Sequence, residues 1–284
     1  MAVTPRLLLA DLPRRGLMGI VNVTPDSFSD GGRYLAPDAA IAHGVDLAAA
    51  GASVVDVGGE STRPGAAPVG ADEELRRVLP VVAGLVARGV TVSVDTTKSA
   101  VARAALDAGA AMVNDVSGGA ADPGMLPLVA ESGAAYVAMH MRGTPQTMQS
   151  RAQYDDVVGD VSRELRARVD AALEAGVDAR ALLADPGIGF AKDADQSLAL
   201  LRALPEITAR AGAPLLVGTS RKSFLARLAG DGDAGARDDA TLATTVWAFE
   251  RGAAMVRVHD VAASRRAVEL LDVMERSTPE GVAA

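Results

Sequence analysis

Eight short apolar runs, each closing on a hydrogen-bonding or charged residue, constrain this chain more than any other feature. They read as strands over roughly Leu17–Val23, Ser53–Gly58, Thr91–Asp95, Met112–Val116, Ala135–His140, Ala181–Asp185, Pro214–Ser220 and Met255–Asp260. They are rich in Val, Ile, Leu and Met without strict polar alternation, as expected of strands covered on both faces. Their last residues include Asn22, Asp56, Asp95, Asn114–Asp115, His140, Asp185, Ser220–Arg221–Lys222 and Arg257–Val258–His259. Buried polar groups cost free energy unless partnered, so a core does not gather this many without a use. Parallel strands of a closed barrel would bring all these ends to one rim, where such folds keep their active sites.

The segments between the runs agree. Helical stretches rich in Ala, Leu, Glu and Arg are expected over Asp38–Ala50, Glu73–Ala87, Ser99–Ala108, Asp155–Ala175, Ala240–Arg251 and Ala262–Glu275. Several stop at a glycine such as Gly133 or Gly176, the usual left-handed terminator. Strand–helix alternation predicts an α/β fold, a (β/α)8 TIM barrel in a single domain. An open doubly wound sheet is the alternative, but no glycine-rich dinucleotide fingerprint follows the first strand. With 284 residues, the barrel takes up nearly the whole chain: 1–16 as a lead-in, 17–276 as the barrel, 277–284 as a polar tail. Gly230–Asp239 reads as a polar surface loop.

Composition narrows the function. Cysteine is absent, which removes thiol nucleophiles and thiolate metal sites. No signal peptide is visible, and the longest uncharged apolar stretch, Val78–Ala87, is far short of a membrane span. A cytoplasmic protein without membrane partners is expected. A net charge of −8 argues against nucleic acid as a partner.

Against that acidic background, Arg221, Lys222, Arg257 and His259 stand at the last two strand ends, the usual phosphate site of this fold. Arginine forks and a lysine point charge suit phosphate oxygens. Asp95, Asn114 and Asp185 end three other strands. Two carboxylates and an amide suit a planar ligand with several N–H donors, such as a pterin or purine, or alternatively a divalent cation. Aspartates also cap helices, a role that fits Asp56 and Asp115 better. Glycine-bearing loops at Thr24–Gly32, Gly58–Gly65 and Pro186–Lys192 have the composition of substrate covers.

Seven segments carry a family resemblance: GIVNVTPDSFSDGG at Gly19–Gly32, VVDVGGESTRP at Val54–Pro64, SVDTTK at Ser93–Lys98, MVNDV at Met112–Val116, DPGIGF at Asp185–Phe190, GTSRK at Gly218–Lys222 and VRVHDV at Val256–Val261. In that order they resemble dihydropteroate synthase. The resemblance implies condensation of 6-hydroxymethyl-7,8-dihydropterin diphosphate with 4-aminobenzoate, giving 7,8-dihydropteroate and pyrophosphate, by a homodimer. It implies that Asn22 holds the diphosphate and its Mg²⁺, with Arg257 and His259 on the same anion. It places Asp95, Asn114, Met139, Asp185 and Lys222 around the pterin, and Thr62, Arg63, Pro64, Phe190 and Ser220 around the aminobenzoate, with Phe28 as a cover. The motif varies after Asp95 in that family, so Thr97 and Lys98 inherit no role. Two alternatives stay open: a corrinoid-linked, pterin-dependent methyltransferase and a non-catalytic pterin-binding paralogue.

Overall fold

The computed structural model describes residues 7–24, 37–226 and 234–276. Eight parallel strands, β1 (Gly16–Asn22), β2 (Val54–Gly58), β3 (Val92–Asp95), β4 (Met112–Asp115), β5 (Ala135–Met139), β6 (Leu182–Asp185), β7 (Leu216–Val217) and β8 (Met255–Val258), run in the order β6-β5-β4-β3-β2-β1-β8-β7. The two end strands meet through a parallel bridge, Ala184 to Leu215, and Ala184 N–H donates to Pro214 O at 2.9 Å. The sheet therefore closes into the (β/α)8 barrel that the sequence predicts.

Helices α1 (Pro37–Ala49), α2 (Ala71–Val86), α3 (Ser99–Asp107), α4 (Met125–Ser132), α5 (Val157–Glu174), α6 (Ala194–Arg202), α7 (Leu204–Ala211), α8 (Ala234–Glu250) and α9 (Val261–Arg276) occupy the connections. Gly133 and Gly176 do take positive φ, 68° and 98°, where the chain leaves α4 and α5. Helix α4 ends at Gly133, as expected, whereas α6 and α7 are short and lie beyond the expected set. The polar loop expected at Gly230–Asp239 is helical from Ala234 onward. Gly235 weakens that turn by about 1 kcal/mol. Contacts of Arg221 with Asp238 and Thr241 hold it (2.7 and 3.1 Å). Strand 7 is shorter than expected because Thr219 leaves the ladder to accept a turn hydrogen bond from Lys222 N–H, 3.1 Å.

Side-chain alternation explains what faces the barrel axis. Val55, Val57, Val113, Tyr136, Leu182, Val256 and Val258 point outward into the core beneath the helices. Val54, Met112, Val137, Leu183 and Met255 form a separate inner layer, and Leu7, Leu8, Leu9 and Leu12 close it from below. A strand repeats its facing every two residues, so the next inward positions are Asp56, Asn114, Met139, Asp185 and Arg257. The inner apolar layer is thus the floor of a polar ring.

Candidate active site

Arg257 links the ring. Its Nε donates to Asp56 Oδ2 at 2.7 Å and its Nη2 to Asp95 Oδ2 at 2.9 Å. Asn114 Nδ2 donates to the same Asp56 oxygen at 2.9 Å. Asp56 is fully buried, and its Oδ1 has no hydrogen-bond partner among the described residues. The expectation that Asp56 caps a helix is therefore corrected: it sits inside β2, facing the axis, and fixes Arg257 and Asn114. Asp115 shapes the loop after β4, accepting from Ser117 N, Gly119 N and Tyr136 Oη at 2.8–2.9 Å.

Burial lifts the Asp95 carboxyl to about 7, against the opposing charge of Arg257 and with the repulsion of Asp56 and Glu74. Burial also raises Asp185, although Lys222 and the 2.7 Å bond from Gly187 N–H favour its carboxylate. Lys222 is brought down to about 8 by burial, with Asp185 working the other way. Its Nζ donates to Ile188 O at 2.5 Å and lies 4.4 Å from the centre of the Phe190 ring. Gly189, at φ 82°, faces the lysine stem closely: a Cβ there would come 3.1 Å from Lys222 Cδ.

The remaining expected residues gather around this ring. Asn22 ends β1 beside Gly58. Met139 is buried at the end of β5 with Val116, Met141 and Met148, and Phe190 packs against them. Ser220 Oγ lies 2.8 Å from His259 Nδ1 and accepts the His259 backbone N–H at 3.2 Å. Burial, then the charges of Arg257 and Arg221, hold the His259 imidazole down at about 3, so at neutral pH it is a neutral hydrogen-bonding group. Arg221 leans away onto α8, held by both Asp238 oxygens (2.7 and 3.1 Å). Thr62 lines a cavity of about 490 Å³ that opens onto Asp95, while Arg63 and Pro64 are exposed. Phe28 and most of the Thr24–Gly32 loop lie outside the described residues.

Three groups have no role assigned from the sequence. Lys98 pairs with Glu60 and with the fully buried Glu74 (2.6 Å to Glu74), tying the loop after β3 to the loop after β2 and to α2. His140 turns from the rim toward Glu164 on α5, with Nε2 2.9 Å from Oε2. Lys192 lies buried between His140 and the loop after β6.

Comparison with known proteins decides which family uses this arrangement. The model of the pterin binding enzyme family matches residues 18–259. The dihydropteroate synthase of Mycobacterium leprae is 50% identical, over 93% of this chain and 95% of its own. The chain belongs to the dihydropteroate synthase family. Two solved relatives from Xanthomonas albilineans agree in fold. One, bound to 4-aminobenzoic acid, has TM-score 0.87 and 47% identity over 96% of each chain. The other, bound to 7,8-dihydropteroate, has TM-score 0.85 and 44% identity over 98% of each. Family membership means an enzyme of the transferase class with a pterin-binding barrel.

Proposed function

We propose that this enzyme condenses 6-hydroxymethyl-7,8-dihydropterin diphosphate with 4-aminobenzoate, releasing pyrophosphate and 7,8-dihydropteroate. The observation that carries the reading is the ring of Asp95, Asn114, Asp185, Lys222 and Arg257 at the ends of five strands, in a chain this similar to dihydropteroate synthases. The methyltransferase alternative has no support from those relatives.

The ring suits the chemistry. Breaking the methylene C–O bond sends its electrons to the departing pyrophosphate and leaves positive charge on the methylene and reduced ring. Carboxylates of Asp95 and Asp185 stabilise that charge from a preorganised, water-poor position. Asn114 is held by Asp56 and presents its amide to the ring edge, and Met139 packs on the ring face. The amine of 4-aminobenzoate then forms the new C–N bond and loses a proton. No side-chain nucleophile is required. Arg257 Nη1 makes no hydrogen bond among the described residues and is available to the anion, beside neutral His259. Thr62, Arg63, Pro64, Phe190 and Ser220 line the aminobenzoate side in this reading.

Mg²⁺ belongs to the same proposal. Among the described residues no cluster of three His, Asp or Glu could cage a metal. Asn22 offers one neutral oxygen, which fits an ion carried largely by diphosphate oxygens and water. When bound, it would neutralise charge on the departing pyrophosphate.

A homodimer is supported by the exposed apolar side chains Leu270, Val273 and Met274 on α9, with Trp247 also exposed on the neighbouring helix α8. Light scattering on Leu270→Asp with Met274→Asp, expected to be monomeric, tests it. A cytoplasmic location is inferred with the reaction; among the described residues no helix is long and apolar enough to cross a membrane. The deciding experiment is pyrophosphate release with the two substrates, with and without a chelator. Turnover that stops on chelation is expected. Pterin binding without turnover would indicate the non-catalytic alternative.

A further inference from the structure

Of 28 basic side chains only three are lysine, and all three stand around the mouth. Lys222 faces the ring and Lys98 ties two loops together. Lys192 touches neither, yet it is only 3% exposed. Its Nζ lies 3.0 Å from His140 Nδ1, 3.0 Å from Gly187 O and 2.8 Å from Phe190 O. Burial holds His140 down at about 4, so its ring is neutral at pH 7 and carries one proton. Glu164 Oε2, 2.9 Å away, can only accept, so that proton sits on Nε2 and Nδ1 offers a lone pair. An ammonium has three N–H donors, and here it meets three acceptors. Arg142 completes the group by bonding Glu164 through Nε at 3.1 Å and through Nη2.

What this knot grips is the loop between β6 and α6. At Gly187, φ 63°, a Cβ would come 1.9 Å from His140 O, so backbone meets backbone there. Ala191 is fully buried at φ 49°, a left-handed conformation that costs an alanine roughly 1–2 kcal/mol. Tyr154 Oη donates to Ala191 O at 3.0 Å. Strained backbone of this kind persists only where its surroundings over-determine it. Between the gripped residues lie Ile188 O, which accepts from Lys222, and the Phe190 ring beneath the same ammonium.

We propose that Lys192 is a positioning residue for the reaction: by tying His140 to the carbonyls of Gly187 and Phe190, it sets the loop that seats Lys222 and the Phe190 wall. It does so without touching substrate. Resting on the proposed reaction, this gives Lys192 an effect on substrate use that is transmitted through Phe190.

A double-mutant cycle tests it, with Lys192→Met, Phe190→Ala and the pair compared on the KM for 4-aminobenzoate and on kcat. Loss of a charge-assisted bond corresponds to about tenfold or more, so Lys192→Met is expected to raise that KM about tenfold in folded enzyme. Phe190→Ala should then add little in the Lys192→Met background, because both act on one wall. Effects that multiply, or a KM unchanged by Lys192→Met, overturn the proposal. Should Lys192→Met fail to fold, Tyr154→Phe loosens the same loop from a partly exposed position. It should raise the same KM about threefold, and an unchanged KM overturns the proposal equally. Nitrogen NMR reads the knot independently of activity. His140, one of three histidines, should show a protonated Nε2 and a bare Nδ1, and the opposite tautomer overturns the knot. Absence of wild-type turnover would overturn the reaction while leaving that spectrum to judge the knot.

Discussion

Two polar networks stand side by side at the mouth, and they are built on opposite rules. In the knot around Lys192, each ammonium hydrogen has an acceptor and each Glu164 oxygen a donor. In the ring around Arg257, one guanidinium serves two carboxylates while Asp56 Oδ1 has no partner among the described residues. A saturated buried network rigidifies what it touches, and an unsaturated one keeps capacity for a ligand. The contrast separates holding from binding, and it can be tested from each side.

The largest effect is expected from Arg257→Ala, which leaves Asp56 and Asp95 facing each other without their cation. Removing one preorganised donor to the departing anion costs about 10²–10³ in rate, so kcat/KM should fall by roughly that factor in the pyrophosphate assay. Calorimetry should show a far larger loss of affinity for the pterin diphosphate than for the free pterin. Equal losses for both ligands would move Arg257 away from the anion.

Asp185→Asn keeps shape but turns an acceptor toward ligand donors. Pterin affinity should drop by about 2–4 kcal/mol, read by calorimetry. An unchanged affinity would leave Asp185 as a turn-former for Gly187 only.

Activity should also carry the signature of the open ring. The Asp95 carboxyl, lifted to about 7, becomes the carboxylate that a pterin N–H needs only as pH rises through that value. Lys222, lowered to about 8, loses its charge above that value. Burial lowers Lys192 to about 7 as well, so the knot starts to give up a donor near neutral pH. The profile of kcat/KM should therefore peak between about 7 and 8, and a flat profile from 6 to 9 would contradict it.

The closed knot predicts a stability effect instead. His140 titrates at about 4 in the fold against 6.5 when free, so the unfolded chain takes up the proton first as pH falls. Its contribution is fully present above 6.5 and is lost on the way down to about 4, at roughly 1.4 kcal/mol per pH unit. Urea unfolding from pH 7 to 4 should show that slope, reduced in His140→Gln. The same slope in both proteins would mean other groups govern acid sensitivity.

The sequence made the ring more legible than the knot, for a physical reason. Strand ends announce themselves, because Asp95, Asn114 and Asp185 each close a short run of mostly apolar residues. Asp56 interrupts its run just as plainly, but a helix cap explains it equally well until closure shows which face it takes. Lys192 depends on His140, 52 residues earlier, and on the shape of a loop with no periodicity to read. Helices α6 and α7 escaped because they meet at Ala203 with no glycine between them to mark where one stops and the next starts. The loop–helix error at Ala234 came from weighing glycines without knowing that Asp238 had Arg221 to hold it.

The bonds from Arg257 span 201 residues to Asp56 and 162 to Asp95. Contacts this distant in sequence form slowly, because the entropy of closing so long a loop is lost before the contact returns anything. The last strand brings the cation that the second and third strands await, so the active constellation and the sealed barrel come into being together. During refolding, regain of activity should trail the return of helical signal and coincide with the latest phase of compaction. Catalysis in this enzyme thereby doubles as a clock for the closing of its own fold.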